Sequence, residues 1–92
     1  MTTRRQRVAI ITGASQGIGS ALVDAYRRLD YAVVANSRSI APGDDPNVAA
    51  VSGDIADAAT AENIVTTAIE RFGRVDTLIN NAGVFVSKPL TE

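Results

Sequence analysis

A glycine-rich stretch, TGASQGIG at residues 12–19, holds the residue types best suited to bind a ligand in this sequence. Glycine loses more backbone entropy on folding than any other residue, so three glycines at fixed offsets need a structural reason. The pattern predicts that Gly13 takes a tight turn, that Gly17 lets the backbone approach a pyrophosphate, and that Gly19 lets a helix pack closely on a strand. Such a loop binds phosphate through the first amides and the positive dipole end of the following helix.

The alternative interpretation of this stretch is a glycine-rich surface turn. An apolar run precedes the stretch and a helical pattern follows it, and this context favours the phosphate-binding loop. Thr12 adds a side chain that could hold the loop or reach a ligand. The candidate phosphate-binding residues are Gly13, Ser15, Gln16, Gly17, Ile18 and Gly19.

The composition excludes several other kinds of site. The 92 residues contain neither cysteine nor histidine, which removes disulfides, thiolate zinc sites and the commonest general base. A net charge of −1 indicates no nucleic-acid partner, and the arginines near the start are typical of a solvated terminus. The sequence has neither an apolar run of membrane-spanning length nor a signal-peptide core. We therefore expect no membrane partner and a cytoplasmic location.

Apolar periodicity predicts the elements that would position the glycine stretch. Strand-like runs cover residues 7–12, 31–36, 48–53 and 76–80. Helical spacing links two sets of apolar residues, which are Ile18, Leu22, Ala25, Tyr26 and Leu29, and then Ala61, Ile64, Val65, Ala68, Ile69 and Phe72. Asp57 or Thr60 could begin the second helix, and Gly73 stands where it could end. Residues 39–47 contain two prolines and are predicted to form a loop.

These elements predict an α/β fold. Four apolar strands with helical crossovers form the first half of an open, doubly wound parallel sheet. A parallel sheet needs cover on both faces, which two helices supply poorly, and the fourth strand would be an exposed apolar edge. We therefore expect residues 1–92 to be the amino-terminal part of a single domain.

The spacing T-G-x-x-x-G-x-G resembles the opening of the short-chain dehydrogenase/reductase family. Two further motifs agree with that family, because GDI at residues 53–55 ends the third predicted strand and NNAG at residues 80–83 ends the fourth. The resemblance covers essentially the whole chain. It implies a Rossmann-type sheet, here its first four strands. It also implies an oxidoreductase that transfers hydride between a nicotinamide cofactor and a small-molecule carbonyl or alcohol substrate.

The end of the second predicted strand decides which cofactor the resemblance implies. NAD-using relatives carry an acidic residue there, which accepts hydrogen bonds from the ribose 2′-hydroxyl. This sequence has Ser37 and Arg38 instead, and a hydroxyl with a guanidinium can bind a 2′-phosphate that a carboxylate would repel. The sequence thus favours NADP, with NAD as the less favoured cofactor. A solvated loop arginine is the alternative for Arg38, and Gln16 departs from the basic residue of many NADP-preferring relatives.

The resemblance also assigns roles at the ends of the third and fourth predicted strands. It places Asp54 and Ile55 beside the adenine, although Asp54 could instead only begin a turn. Asn80 would brace the sheet by hydrogen bonds. The wall of the cofactor cleft, at the switch point between the first and fourth strands, would be formed by Asn81, Ala82 and Gly83.

The catalytic residues of the family have no counterpart in this sequence. In the family a serine and a Tyr-x-x-x-Lys pair carry the chemistry, with the tyrosine as general acid or base. Tyr26 is followed four places later by Asp30, and Tyr31 by Ala35, so neither tyrosine makes the pair. We therefore expect no catalytic residue within these residues and place the family's catalytic group beyond Glu92.

Three interpretations of the whole protein remain open at this point. The first is the amino-terminal part of a complete oxidoreductase, which the resemblance makes a homo-oligomer with a small-molecule substrate. The second is a module that binds NADP without turning it over. The third is a fragment whose exposed edge strand pairs with another chain.

Overall fold

The computed structural model describes residues 6–14 and 17–81, which form six regular elements. The strands are β1 (Val8–Thr12), β2 (Ala32–Ser37), β3 (Val48–Ser52) and β4 (Thr77–Asn80), and the helices are α1 (Gly17–Arg28) and α2 (Ala58–Phe72). Each corresponds to an element expected from the sequence, with small differences at the ends. Residues 39–47 contain neither helix nor strand, as predicted for a loop.

The four strands of the described chain form one parallel sheet in the order β3-β2-β1-β4. The register pairs Ile10 of β1 with Val34 of β2 on one side and with Leu78 of β4 on the other. The chain runs outward from β1 to β2 and β3 and then crosses back to place β4 on the other side of β1, which is the topology of a doubly wound sheet. This arrangement confirms the predicted fold class, an α/β fold with the first half of a Rossmann-type sheet.

Strand side chains alternate between the two faces of the sheet, and each face has its own apolar cluster. The cluster against α2 consists of Val8, Ile10, Ala32, Val34, Ala49, Val51, Ile64 and Ala68. The cluster against α1 consists of Ile11, Ala14, Val33 and Ala35, with Leu22, Val23 and Tyr26 packed on it. Cover on both faces is the reason that the central strands have nearly continuous apolar sequences.

The buried face of α1 differs from the predicted apolar stripe. Gly19 is buried, and Leu22, Val23 and Tyr26 contact the sheet at the helical spacing that begins at this glycine. Ile18 and Leu29, which the apolar pattern placed on the buried face, are 71% and 66% exposed. The prediction was wrong because a count of apolar side chains gives glycine no weight. The missing side chain is what lets Gly19 lie nearest the sheet.

Helix α2 has a capping residue at each end. The Asp57 side chain accepts a hydrogen bond of 3.3 Å from the Ala59 amide, so Asp57 begins the helix and the alternative, Thr60, does not. Gly73 ends it in the left-handed region, with φ 86°, and its amide donates to carbonyls of the last turn. Both caps agree with the signals in the sequence.

Helix α1 ends on a left-handed residue that is not glycine. Asp30 has φ 67°, and its amide donates to the Arg27 carbonyl at 3.0 Å. The next amide, that of Tyr31, reaches back to the Tyr26 carbonyl, also at 3.0 Å. These two bonds form a Schellman motif, in which glycine is the usual residue at the position of Asp30.

The outer side of the sheet leaves apolar surface in contact with solvent. Leu78 of β4 is 65% exposed, and Val65 and Ile69 of α2 are each half exposed. Strand β4 is thus the exposed apolar edge that the sequence predicts. Among the helices of the described residues, none has the length and hydropathy needed to cross a bilayer.

Candidate functional site at the carboxyl edge of the sheet

The glycine stretch connects the end of β1 to the start of α1. Gly13 and Gly17 both have positive φ, 63° and 58°. The Ala14 amide between them donates to the Asn36 carbonyl at 2.9 Å, which ties the loop to the end of β2. Ser15 and Gln16 lie outside the described residues.

Close packing at Gly19 fixes the distance between α1 and the loop. A Cβ at this position would collide with the carbonyl oxygen of Gly13 and lie 2.9 Å from the Cα of Ala14. Backbone atoms cannot move aside as a flexible side chain can, so any larger residue would push α1 away from β1. The close approach predicted for Gly19 is therefore present in the fold.

The space in front of Gly17 suits an anionic ligand. Among the described residues, a Cβ placed on Gly17 would meet no atom within 4 Å, and the left-handed backbone of Gly17 is one that side chains rarely adopt. The first turn of α1, which includes the exposed Ile18, contains no acidic residue that would repel a phosphate. The residues that are present therefore fit a pyrophosphate group at the start of α1.

Hydrogen bonds join the end of β4 to the glycine loop. The Thr12 hydroxyl donates to Asn80 Oδ1 at 2.8 Å and accepts from the Asn81 amide at 3.0 Å. Asn81 Nδ2 donates to the Gly13 carbonyl at 3.4 Å. Asn80 thus braces the sheet as expected, and Asn81 borders the crevice between β1 and β4. Ala82 and Gly83, predicted for the same wall, lie outside the described residues.

Two loops meet at the ends of β2 and β3. Ser37 is buried, and its hydroxyl accepts a long hydrogen bond of 3.4 Å from the Ser39 amide. The Arg38 side chain is 83% exposed, and its Nη2 lies 3.7 Å from Oδ2 of Asp54. Arg38 is thus near the surface with one acidic neighbour, which leaves both interpretations from the sequence in place.

Asp54 begins the turn that follows β3. Its Oδ1 accepts a hydrogen bond of 2.9 Å from the Ala56 amide, which is the turn interpretation given for this residue. Ile55, the next residue, packs against the apolar cluster on the α2 face of the sheet. The adenine contacts expected of these two residues stay predictions.

Asn36, for which no role was predicted from the sequence, connects three segments of this edge. Its side chain is buried, and Nδ2 donates to the carbonyls of Val51 at 2.9 Å and Gly53 at 3.1 Å. Its own carbonyl accepts the Ala14 amide. A polar residue near the end of a buried strand was the available signal, because a buried amide must find partners.

The carboxylates with displaced pKa values lie at the opposite, amino-terminal edge. Hydrogen bonds from Arg74 and then from the Val8 amide lower the pKa of Asp76. A hydrogen bond from Arg27 lowers the pKa of Asp45 in the loop before β3. Within residues 6–14 and 17–81, no three potential metal-ligating side chains form a cluster. The geometry of the carboxyl edge therefore suits ligand binding through backbone amides and polar side chains.

Comparison with known proteins identifies a family with this arrangement. The sequence profile of the short chain dehydrogenase family matches residues 7–92. An uncharacterized oxidoreductase of Methylorubrum extorquens is 37% identical over 95 aligned residues, which cover 92% of this chain and 38% of that protein. A 3-oxoacyl-(acyl-carrier-protein) reductase of a Synechocystis species is 34% identical over 94 residues, with 91% and 38% of the two chains covered.

A solved structure matches the fold as well. The glucose dehydrogenase of Caenorhabditis elegans in its apo form has a TM-score of 0.77 and 33% identity, and the match covers 90% of this chain and 40% of that one. The chain thus spans about two fifths of the length of these relatives.

Proposed function

The chain belongs to the short chain dehydrogenase family, and we propose that it provides the cofactor-binding half of an NADP-dependent oxidoreductase. The observation that carries this proposal is the position of the glycine loop. The loop lies at the carboxyl end of β1. Strand β2 lies on one side of β1 in the sheet and β4 lies on the other. Open α/β sheets bind their ligands in the crevice at such a switch point.

The residues of the loop have separate tasks in this proposal. The amides at the start of α1 bind the pyrophosphate, and the bare backbone at Gly17 lets it approach. Gly19 keeps α1 close to the end of β1, so the distance between these amides and the sheet is fixed. When bound, the nicotinamide cofactor supplies the hydride-transfer chemistry of the family.

Residues around the loop complete the proposed site. Ser37 and Arg38 bind the 2′-phosphate, because β2 itself ends without the acidic residue that marks NAD-using relatives. Asp54 and Ile55 lie beside the adenine. Other residues form the wall of the cleft, and these are Asn81, Ala82 and Gly83. NAD is the alternative cofactor.

The proposal for the whole protein also covers its catalytic residues, its substrate and its oligomeric state. The length of the relatives supports an amino-terminal part of a longer enzyme that reduces a carbonyl or oxidises an alcohol. A serine and a Tyr-x-x-x-Lys pair would then follow Glu92. The homo-oligomer and the cytoplasmic location stay predictions.

A partner-dependent fragment is the second candidate, favoured by one observation. Leu78 and Val75 expose apolar surface at and beside the β4 edge. The intact mass of the protein expressed from its own gene separates the two candidates. A mass well above 9.6 kDa supports the oxidoreductase, whereas a mass equal to these 92 residues favours the fragment.

The proposal is tested by calorimetric titration of the protein, as expressed from its gene, with NADPH and NADH. We expect NADPH to bind more tightly than NADH. Gly17→Val should remove the binding of both, because the side chain fills the space for the pyrophosphate and strains the backbone.

The matched control is Gly43→Val, since a Cβ at Gly43 also meets no described atom within 4 Å but the residue lies in the loop of residues 39–47. Unaltered binding by the Gly17 variant would contradict the phosphate-loop assignment. Thermal unfolding of both variants shows whether the fold is retained.

A further inference from the structure

The contact between Arg38 and Asp54 joins two residues that the proposed site uses for different parts of one ligand. Nη2 of Arg38 lies 3.7 Å from Oδ2 of Asp54, and the two side chains are 83% and 51% exposed. Arg38 is proposed to bind the 2′-phosphate. The same guanidinium is therefore within ion-pair distance of an anion before any phosphate arrives.

The backbone brings these two side chains together. Strands β2 and β3 pair in register up to Ser37 and Ser52, and the Gly53 amide then donates to the Ser37 carbonyl at 3.0 Å. The buried Asn36 amide adds bonds to the Val51 and Gly53 carbonyls. The residues that follow, Arg38 and Asp54, are consequently held side by side at the end of the two strands.

The Asp54 carboxylate is also fixed in orientation. Its Oδ1 accepts the Ala56 amide at 2.9 Å, and this bond holds the carboxylate over its own turn. The second oxygen, Oδ2, is the one directed at Arg38. Asp54 therefore cannot leave the neighbourhood of the guanidinium without losing a hydrogen bond within the turn.

We propose that Asp54 is a specificity-determining residue, whose carboxylate competes with the 2′-phosphate for Arg38 and so reduces the preference for NADPH over NADH. This inference rests on the proposed function. A phosphate that approaches Arg38 must share the guanidinium with Asp54 or displace it, and it meets the negative charge of Asp54 as well. NADH carries no 2′-phosphate and meets neither obstacle.

Adenine is common to the two cofactors, so the ratio of their dissociation constants isolates the effect at the 2′-position. Asp54→Asn removes the charge and keeps an oxygen that can accept the Ala56 amide, so the turn is retained. The matched control is Glu70→Gln. This substitution also removes one negative charge, from an exposed residue near the end of α2. Helix α2 runs opposite to the strands, which places Glu70 far from the carboxyl edge.

The experiment measures NADPH and NADH binding by calorimetry for the wild type, Asp54→Asn, Arg38→Ala, the double variant and Glu70→Gln. Asp54→Asn removes the exposed ion pair that competes for Arg38. It should therefore tighten NADPH binding by roughly two- to fivefold, while NADH binding changes less. Most of this gain should disappear when Arg38→Ala is already present. Glu70→Gln should leave both constants unchanged.

The failures of the two proposals are distinguishable in the same data. If Asp54→Asn changes the binding of both cofactors by one factor, Asp54 acts on the shared adenine or on the turn, and the competition is overturned while the proposed function stands. A gain that persists in full with Arg38→Ala overturns it too. If the wild type binds neither cofactor, the proposed function fails, and the inference fails with it.

Discussion

Helices α1 and α2 begin at the same edge of the sheet but begin in different ways. Helix α2 starts with Asp57, whose carboxylate accepts the Ala59 amide and so satisfies part of the helix start from within the chain. Helix α1 starts with Gly17, where a Cβ would meet no atom of the described residues within 4 Å, and no acidic residue stands in its first turn. The start of α1 is the one at which we propose a ligand, whereas the start of α2 is capped by Asp57.

The two helices also differ where they end. Helix α2 ends on Gly73, which takes the left-handed conformation without a steric penalty. Helix α1 ends on Asp30 in the same conformation, although a side chain is unfavourable there. At the end of the helix, therefore, α2 has the residue that fits the left-handed conformation best, whereas α1 has a residue with a side chain there. The difference teaches that close packing at Gly19 fixes the position of α1 although its end is the less favourable of the two.

The largest loss of stability is expected when a side chain disturbs the packing at Gly19. Gly19→Ala should lower the free energy of unfolding by about 3 kcal/mol, because the new Cβ meets the backbone of Gly13 and Ala14 and α1 must move outward. Denaturant unfolding measures the change. Gly43→Ala, which adds a Cβ in open space, is the control and should stay within about 0.5 kcal/mol of wild type. Equal stability of the two variants would contradict the close contact.

A smaller effect is expected from opening the start of α2. Asp57→Ala should cost about 1 kcal/mol of stability, because the Ala59 amide loses its acceptor. Cofactor binding should not change, since α2 is not the helix proposed to face the pyrophosphate. Asp57→Asn keeps a capping oxygen and should retain most of the stability. A change in NADPH affinity with Asp57→Ala would show that the two helix starts are not independent.

The smallest change in stability is expected from exchanging the residues that follow the two helices, Asp30 and Gly73. The two substitutions should have opposite signs. Asp30→Gly should raise the free energy of unfolding by about 0.5–1 kcal/mol, because glycine removes the strain of a side chain at positive φ. Gly73→Asp should destabilise by a similar amount for the same reason. Chemical unfolding of the two variants tests both signs, and destabilisation by Asp30→Gly would show that the contacts of the Asp30 side chain, among them the one with Gln6, outweigh the strain.

The sequence predicted the sheet and its helices well because each element has a local signal. Apolar runs mark the strands, and Asp57 and Gly73 mark the ends of α2. The buried face of α1 was predicted wrongly, since Gly19 contributes through the side chain that it lacks. An apolar pattern counts only side chains, so it cannot mark a glycine as a buried position.

Part of the candidate site could be located from the sequence and part could not. The glycine loop has a fixed spacing within one segment, so its position followed from the motif. The Asn36 bonds and the contact of Arg38 with Asp54 join segments that are distant along the chain. No pattern within one segment encodes those distances, which depend on the register between β2 and β3.

The hydrogen bond between Thr12 and Asn80 has a consequence for the time course of biosynthesis. The two residues are 68 positions apart, so β1 gains its second neighbour only after nearly all of the described chain has been synthesised. At a translation rate of about 5–20 residues per second, the delay between the two strands is roughly 3–14 s. The pairing of β1 with β2 needs a much shorter segment and can form earlier. A nucleotide that needs both walls of the crevice would therefore stabilise the late stages of co-translational folding and not the early ones.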